Sequence, residues 1–101
     1  MVSFAERASV PSHVLVRFLE QECVLLNVQT ERYFGLDETG TRMWQVITAA
    51  PTIGAAYERL LEEYDVDGQL LRADLNGLLE RLIENGLLSI RPADVGTASP
   101  V

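Results

Sequence analysis

Lysine is absent from this chain, and cysteine and histidine occur once each, as Cys23 and His13. The cations are all arginines, placed singly at Arg7, Arg17, Arg32, Arg42, Arg59, Arg72, Arg81 and Arg91, and 15 acids outweigh them to a net charge of −7. A nucleic-acid binder needs a basic stripe to displace counterions from phosphate. Without one, neither nucleic acid nor an anionic membrane is an expected partner. A lone cysteine excludes an intrachain disulfide and a cysteine-based metal cluster. Cys23 lies in an apolar run and reads as a small buried hydrophobe. As a catalytic thiol it would need a base, and His13 stands in a poorly constrained place just after Pro11. No apolar run approaches the roughly 18 residues of a membrane span, and Glu6 falls where a signal peptide keeps its apolar segment. A soluble, cytoplasmic protein is expected. There is no glycine-rich phosphate loop and no Ser-His-Asp set. Asp65-Val66-Asp67-Gly68 resembles only part of a calcium loop, and Glu58, Glu62 and Glu63 read as a solvated helix face. No cofactor, metal or catalytic residue is therefore expected.

What is present is enough for one folded domain: 101 residues, of which 48% are hydrophobic. A domain of this size can bury a single core unaided. The ends read as loose, with a flexible segment over 1–12 and a disordered tail over 92–101 rich in Pro, Gly, Ala, Ser and Thr. Between them, 13–91 form the domain. From His13 to Leu36 the hydrophobic period is two, which predicts strands near 13–19, 23–28 and 32–36. Turns this short require antiparallel neighbours. From Asp37 the period becomes 3.6. Asp37, Thr52 and Asp67 are suited to cap three helices, the first ending before Pro51 and the third ending at Gly86 in a left-handed conformation. Leu87 to Arg91 alternates again and predicts a short final strand. Trp44 reads as a core anchor. The fold class is α+β: a three-stranded antiparallel sheet followed by three helices, winged helix-turn-helix-like in outline.

Two elements stand out as functional. On the third helix, Leu71, Leu75, Leu78, Leu79, Leu82 and Ile83 cover an arc of about 140°. One border of that arc mixes Leu71 and Leu78 with Asp74 and Arg81, as a groove with an aliphatic floor and a polar rim would. The alternative is a central core helix with two neighbours. The strand Arg32-Tyr33-Phe34-Gly35-Leu36 is the last of its ladder. It carries no lysine or proline to blunt an edge, and an open edge beside an apolar groove suits addition of an extended peptide.

These residues resemble a known family. Leu25-Leu26-Asn27, Glu31-Arg32-Tyr33-Phe34-Gly35-Leu36-Asp37, Gly40 and Met43-Trp44 are similar, in order and spacing, to the PqqD-like peptide recognition elements. So are Glu62-Glu63-Tyr64-Asp65-Val66-Asp67, Asp74-Leu75, Leu78-Leu79, Leu82 and Gly86-Leu87-Leu88. The resemblance implies a non-catalytic domain that binds the leader of a ribosomally made, later modified precursor peptide. The leader would pair with Arg32, Tyr33, Phe34 and Gly35, with Leu71, Asp74, Leu75 and Leu78 as the facing wall and Arg81 at the rim. The implied partners are that leader and a modifying enzyme: a leader peptidase in lasso peptide biosynthesis, favoured because the chain stands alone, or a radical enzyme in pyrroloquinoline quinone (PQQ) synthesis. A winged-helix transcription regulator is a competing reading that the charge disfavours. A purely structural subunit of a partner enzyme is another.

Overall fold

A computed structural model describes residues 2–92. The elements follow in the order β1 (Arg7–Ser9), β2 (Val14–Leu19), β3 (Glu22–Asn27), β4 (Arg32–Leu36), α1 (Glu38–Ala49), α2 (Ile53–Glu63), α3 (Gly68–Glu84) and β5 (Ser89–Arg91). The expected three-stranded sheet is present, antiparallel, in the order β2-β3-β4. Its register sets Phe18 opposite Cys23 and Val16 opposite Leu25. On the other side Phe34 faces Leu25 and Leu36 faces Cys23. Because side chains alternate along a strand, these residues share the face that meets the helices. Leu15, Leu26 and Tyr33 form a row on the opposite, solvent-facing side. Phe18 shares the inner face yet stays half exposed.

Polar side chains set the ends of the elements as their types require. The Asp37 carboxylate accepts from the Gly40 N–H (2.8 Å), Thr52 Oγ1 from the Ala55 N–H (3.0 Å), and Asp67 Oδ1 from the Gln69 N–H (2.9 Å). Each satisfies a backbone donor that the helix start leaves unpaired, an effect of about 1 kcal/mol per cap. At the end of α3, Gly86 takes φ 70. Its N–H reaches the Ile83 carbonyl, and the Leu87 N–H reaches the Leu82 carbonyl. That pair of bonds is a Schellman closure, which needs the left-handed residue glycine supplies most easily.

The core lies between the inner sheet face and the helices. Leu25, Ile47, Ile53, Leu60, Leu75, Leu79 and Leu82 are fully buried, and Trp44 is buried beside them. Asn27 is a polar member of this interior. Its Oδ1 accepts from the N–H groups of Gln29 (3.0 Å) and Thr30 (3.3 Å), which holds the turn into β4. Its Nδ2 donates to the Asn85 carbonyl (3.0 Å) at the end of α3. His13 Nε2 lies 2.9 Å from the Gly86 carbonyl beside it.

Within the stretch 1–12, expected as flexible, the structure places a short strand. β1 pairs antiparallel with β5, with Ala8 opposite Ile90, and Ala8 is buried. Ahead of β1 the Phe4 and Glu6 carbonyls accept from the N–H groups of Gly54 and Ile53, both at 2.8 Å. The segment lacks periodicity because it is three residues of strand and a strap of backbone bonds. Its partners lie at α2 and at the far end of the sequence. The expected tail over 92–101 lies, apart from Pro92, outside the described residues.

Candidate functional site

β4 is hydrogen-bonded to β3 on one side only, and among the described residues no strand occupies its other edge. That edge opens onto a cleft of about 630 Å³. One bank is β4 and the start of α1: Phe34, Gly35, Leu36, Asp37, Thr39, Gly40 and Met43. The other is one face of α3: Ala73, Asp74, Gly77, Leu78 and Arg81. Opposite charges, Asp74 and Arg81, stand exposed on the α3 bank. The Asp37 carboxylate on the facing bank is engaged with the Gly40 N–H.

Each bank has one glycine with open space above it. A Cβ added at Gly77 or at Gly35 would meet no atom within 4 Å. An extended chain can therefore come close to both elements. A strand edge with free N–H and C=O groups, facing a helix across a cleft, supplies the two parts of strand addition: backbone bonds for affinity and flanking side-chain space for selection.

The residues singled out from sequence are distributed as follows. Phe34, Gly35, Asp74, Leu78 and Arg81 line the cleft together. Arg32 and Tyr33 sit on the same strand beyond the lining, and Tyr33 is 74% exposed on the outer face. Leu71 and Leu75 are not in the lining. Leu75 is 0% and Leu71 4% exposed, because both point from α3 into the core. The leucine arc is thus the buried face of the helix, and the cleft meets its border at Leu78. Sequence reasoning missed Ala73 and Gly77 on α3 and Thr39, Gly40 and Met43 near the start of α1. A glycine in mid-helix was the available signal, since it weakens a helix without contributing packing.

Other reactive groups are placed elsewhere. Cys23 is buried, and that burial pushes its thiol up from the ordinary value. His13 lies next to the residue paired with Asn27, the far end of β3 from Cys23, roughly 13 Å away along a strand. Arg42 donates from Nε to Glu63 Oε1 (2.8 Å), joining α1 to the end of α2. That hydrogen bond, with the charges of Arg42 and Arg59, holds the Glu63 carboxyl below its usual range. Among the described residues no cluster of side chains is suited to a metal ion, and no helix is long and apolar enough to cross a membrane.

Comparison with known proteins joins the cleft to a family. The PqqA binding protein of Rhodopseudomonas palustris (strain BisB5) is 26% identical over 88 residues, which is 87% of this chain and 86% of that protein. The solved structure of TbiB1 in complex with the TbiA(beta) leader peptide is 31% identical. It superposes with a TM-score of 0.72 over 80% of this chain and 94% of that one. Lasso peptide synthetase B1 complexed with the leader peptide superposes with a TM-score of 0.71 at 22% identity, over 82% and 98% of the two chains, a likeness of fold. The family described as coenzyme PQQ synthesis protein D (PqqD) matches residues 22–88, from the first residue of β3 to the last before β5. With more than half its length matched, and with the three strands and three helices in the expected order, this chain belongs to the PqqD family.

Proposed function

We propose that this chain is a non-catalytic module that binds the leader segment of a ribosomally made precursor peptide and delivers it to a modifying enzyme, a leader peptidase in lasso peptide biosynthesis. The leader adds as a strand along Arg32, Tyr33, Phe34 and Gly35 of β4. Across from it, Asp74, Leu78 and Arg81 of α3 face the peptide, with Ala73 and Gly77 between them. Leu71 and Leu75 support that bank from within the core. The observation that carries this reading is the free edge of β4 opening on a cleft whose far bank is α3. The 31% identical TbiB1, whose structure holds a leader peptide, supports the same ligand class. The separation of a buried Cys23 from His13 speaks against a thiol enzyme. The net charge of −7 speaks against a nucleic-acid partner.

A second reading keeps the ligand class and changes the pathway. The curated relative named a PqqA binding protein, and the PQQ-synthesis name of the family, favour a chaperone that acts with a radical enzyme in quinone cofactor synthesis. The neighbouring reading frames separate the two. A short precursor beside a transglutaminase-like protease and an asparagine-synthetase-like cyclase marks the lasso pathway, and a radical enzyme marks the other.

Strand addition itself is tested with a fluorescent leader made from the adjacent precursor frame and a copy N-methylated at alternate residues. The first is expected to bind with a Kd near the micromolar range, about −8 kcal/mol. The second keeps every side chain but loses its ladder donors, and it should bind at least about tenfold more weakly, the effect of roughly one to two lost backbone bonds. Equal binding of both peptides, or no binding of either, overturns the proposal.

A further inference from the structure

A second cavity adjoins the far flank of α3. It measures about 460 Å³, and Ala73 and Gly77 line it as well as the cleft. Its walls are Gln69, Arg72, Asn76 and Glu80 of α3 and, facing them, Val2 and Phe4 of the N-terminal strap. The strap is fastened there. The Val2 N–H donates to Asn76 Oδ1 at 3.0 Å, and the Phe4 carbonyl accepts from Gly54. The Phe4 ring lies 4.0 Å beneath the Arg72 guanidinium and meets Tyr57 edge-on at 5.7 Å. Both Val2 and Phe4 keep part of their apolar surface open.

Resting on the peptide-binding reading, we infer that the strap is a second wall of the peptide channel. Beyond its strand-paired part, the leader crosses α3 over Ala73 and Gly77 and seats an apolar side chain between the helix and Val2 and Phe4. Three observations converge on this assignment. The two concavities flank the same two small residues, Ala73 and Gly77. The crossing point is low, since a Cβ at Gly77 would meet nothing within 4 Å, so a backbone can pass close to the helix. The chemistry beyond the crossing is selective: Val2, Phe4 and the stem of Arg72 offer apolar contact. The Arg72 charge is already placed over an aromatic ring, and the Gln69 and Asn76 amides edge the site as hydrogen-bonding groups. The occupant is thus an apolar residue of the same extended peptide, a second anchor that sets how much leader is read.

The test uses the whole chain, ¹⁵N-labelled, titrated with the leader peptide of the adjacent precursor frame. Amide signals of Gly35 and Gly77 should move, together with those of Phe4, Gln69 and Asn76. Movement confined to Gly35 and Gly77 overturns this inference and leaves the peptide-binding reading intact, whereas no movement anywhere removes that reading and this one with it. Two variants then measure the anchor: Phe4→Ala, which removes a wall, and Gln69→Trp, which fills the site from an exposed position that the fold does not need. Each should weaken the full leader about tenfold, the effect of losing one buried apolar side chain. A leader cut back to its strand-pairing part should bind wild type and Gln69→Trp alike. Full-strength binding of the whole leader by Gln69→Trp overturns the assignment, even if Phe4→Ala proves poorly folded.

Discussion

Replacing Gly77 by alanine should make the domain more stable and a poorer binder. Gly77 lies well inside α3, far from either end. In a helix interior glycine is about 0.8–1.0 kcal/mol worse than alanine, through lost backbone entropy. A packing constraint normally explains such a residue. Here the added Cβ would meet no atom within 4 Å, so the free domain gains the full difference. About 1 kcal/mol in a domain of this size corresponds to a rise of about 4–8 °C in Tm. The methyl group would project into the cleft, where a peptide backbone is proposed to pass. Overpacking by one methylene-sized group costs about 1–3 kcal/mol, so leader affinity should fall by roughly five- to 150-fold. Urea unfolding followed by circular dichroism gives the first quantity, and fluorescence polarisation with a labelled leader gives the second. A variant no more stable than wild type would mean the free domain uses the space above Gly77. A stabilised variant with unchanged affinity would mean that no peptide passes there.

The other glycine with a defined duty behaves oppositely. Gly86→Ala places a Cβ 2.8 Å from Asn27 Nδ2 at φ 70, a conformation that costs an L-residue about 1–2 kcal/mol, so its Tm should drop; an unchanged melt would refute the closure described for α3. The thiol of Cys23, buried and shifted upward, should resist a disulfide reagent at pH 8 until urea unfolds the chain, and rapid labelling of the native protein would contradict its placement. Glu63 has its folded-state pKa lowered by Arg42, so whatever stability the pair gives is present above the ordinary carboxyl value near 4.5 and is lost as pH falls through the lower folded value. The urea midpoint of wild type should therefore fall more steeply on the acid side of that value than the midpoint of Arg42→Met, and parallel pH profiles would show that the contact adds nothing.

Most of the fold was legible because it is written in local rules. Alternation from Val14 to Leu36 gave the sheet, and Asp37, Thr52, Asp67 and Gly86 gave helix ends that the structure reproduces. The small sheet was half missed, because β1 is three residues long and its partner lies at the opposite end of the sequence. No periodicity can build up over so short a run, and no local signal reports so distant a pairing. The cleft was legible in part on both banks: Phe34 and Gly35 of β4 and Asp74, Leu78 and Arg81 of α3 line it, and Arg32, Tyr33, Leu71 and Leu75 do not. A hydrophobic pattern marks where large side chains gather, and Leu71 and Leu75 gather in the core. Part of the cleft lining is made where side chains are small or missing, at Ala73 and Gly77, and an absence of side chain leaves little pattern to read.

Asn27 has a consequence for how the domain recognises its ligand. One buried amide fastens the turn that launches β4 and also the carbonyl that ends α3. The two banks of the cleft therefore share a single rivet, and neither can swing outward at that end without breaking it. A receptor fixed in this way has its gauge set before any ligand arrives, so little ordering entropy is lost on binding. What it can sort by is the thickness of the chain it admits, residue by residue.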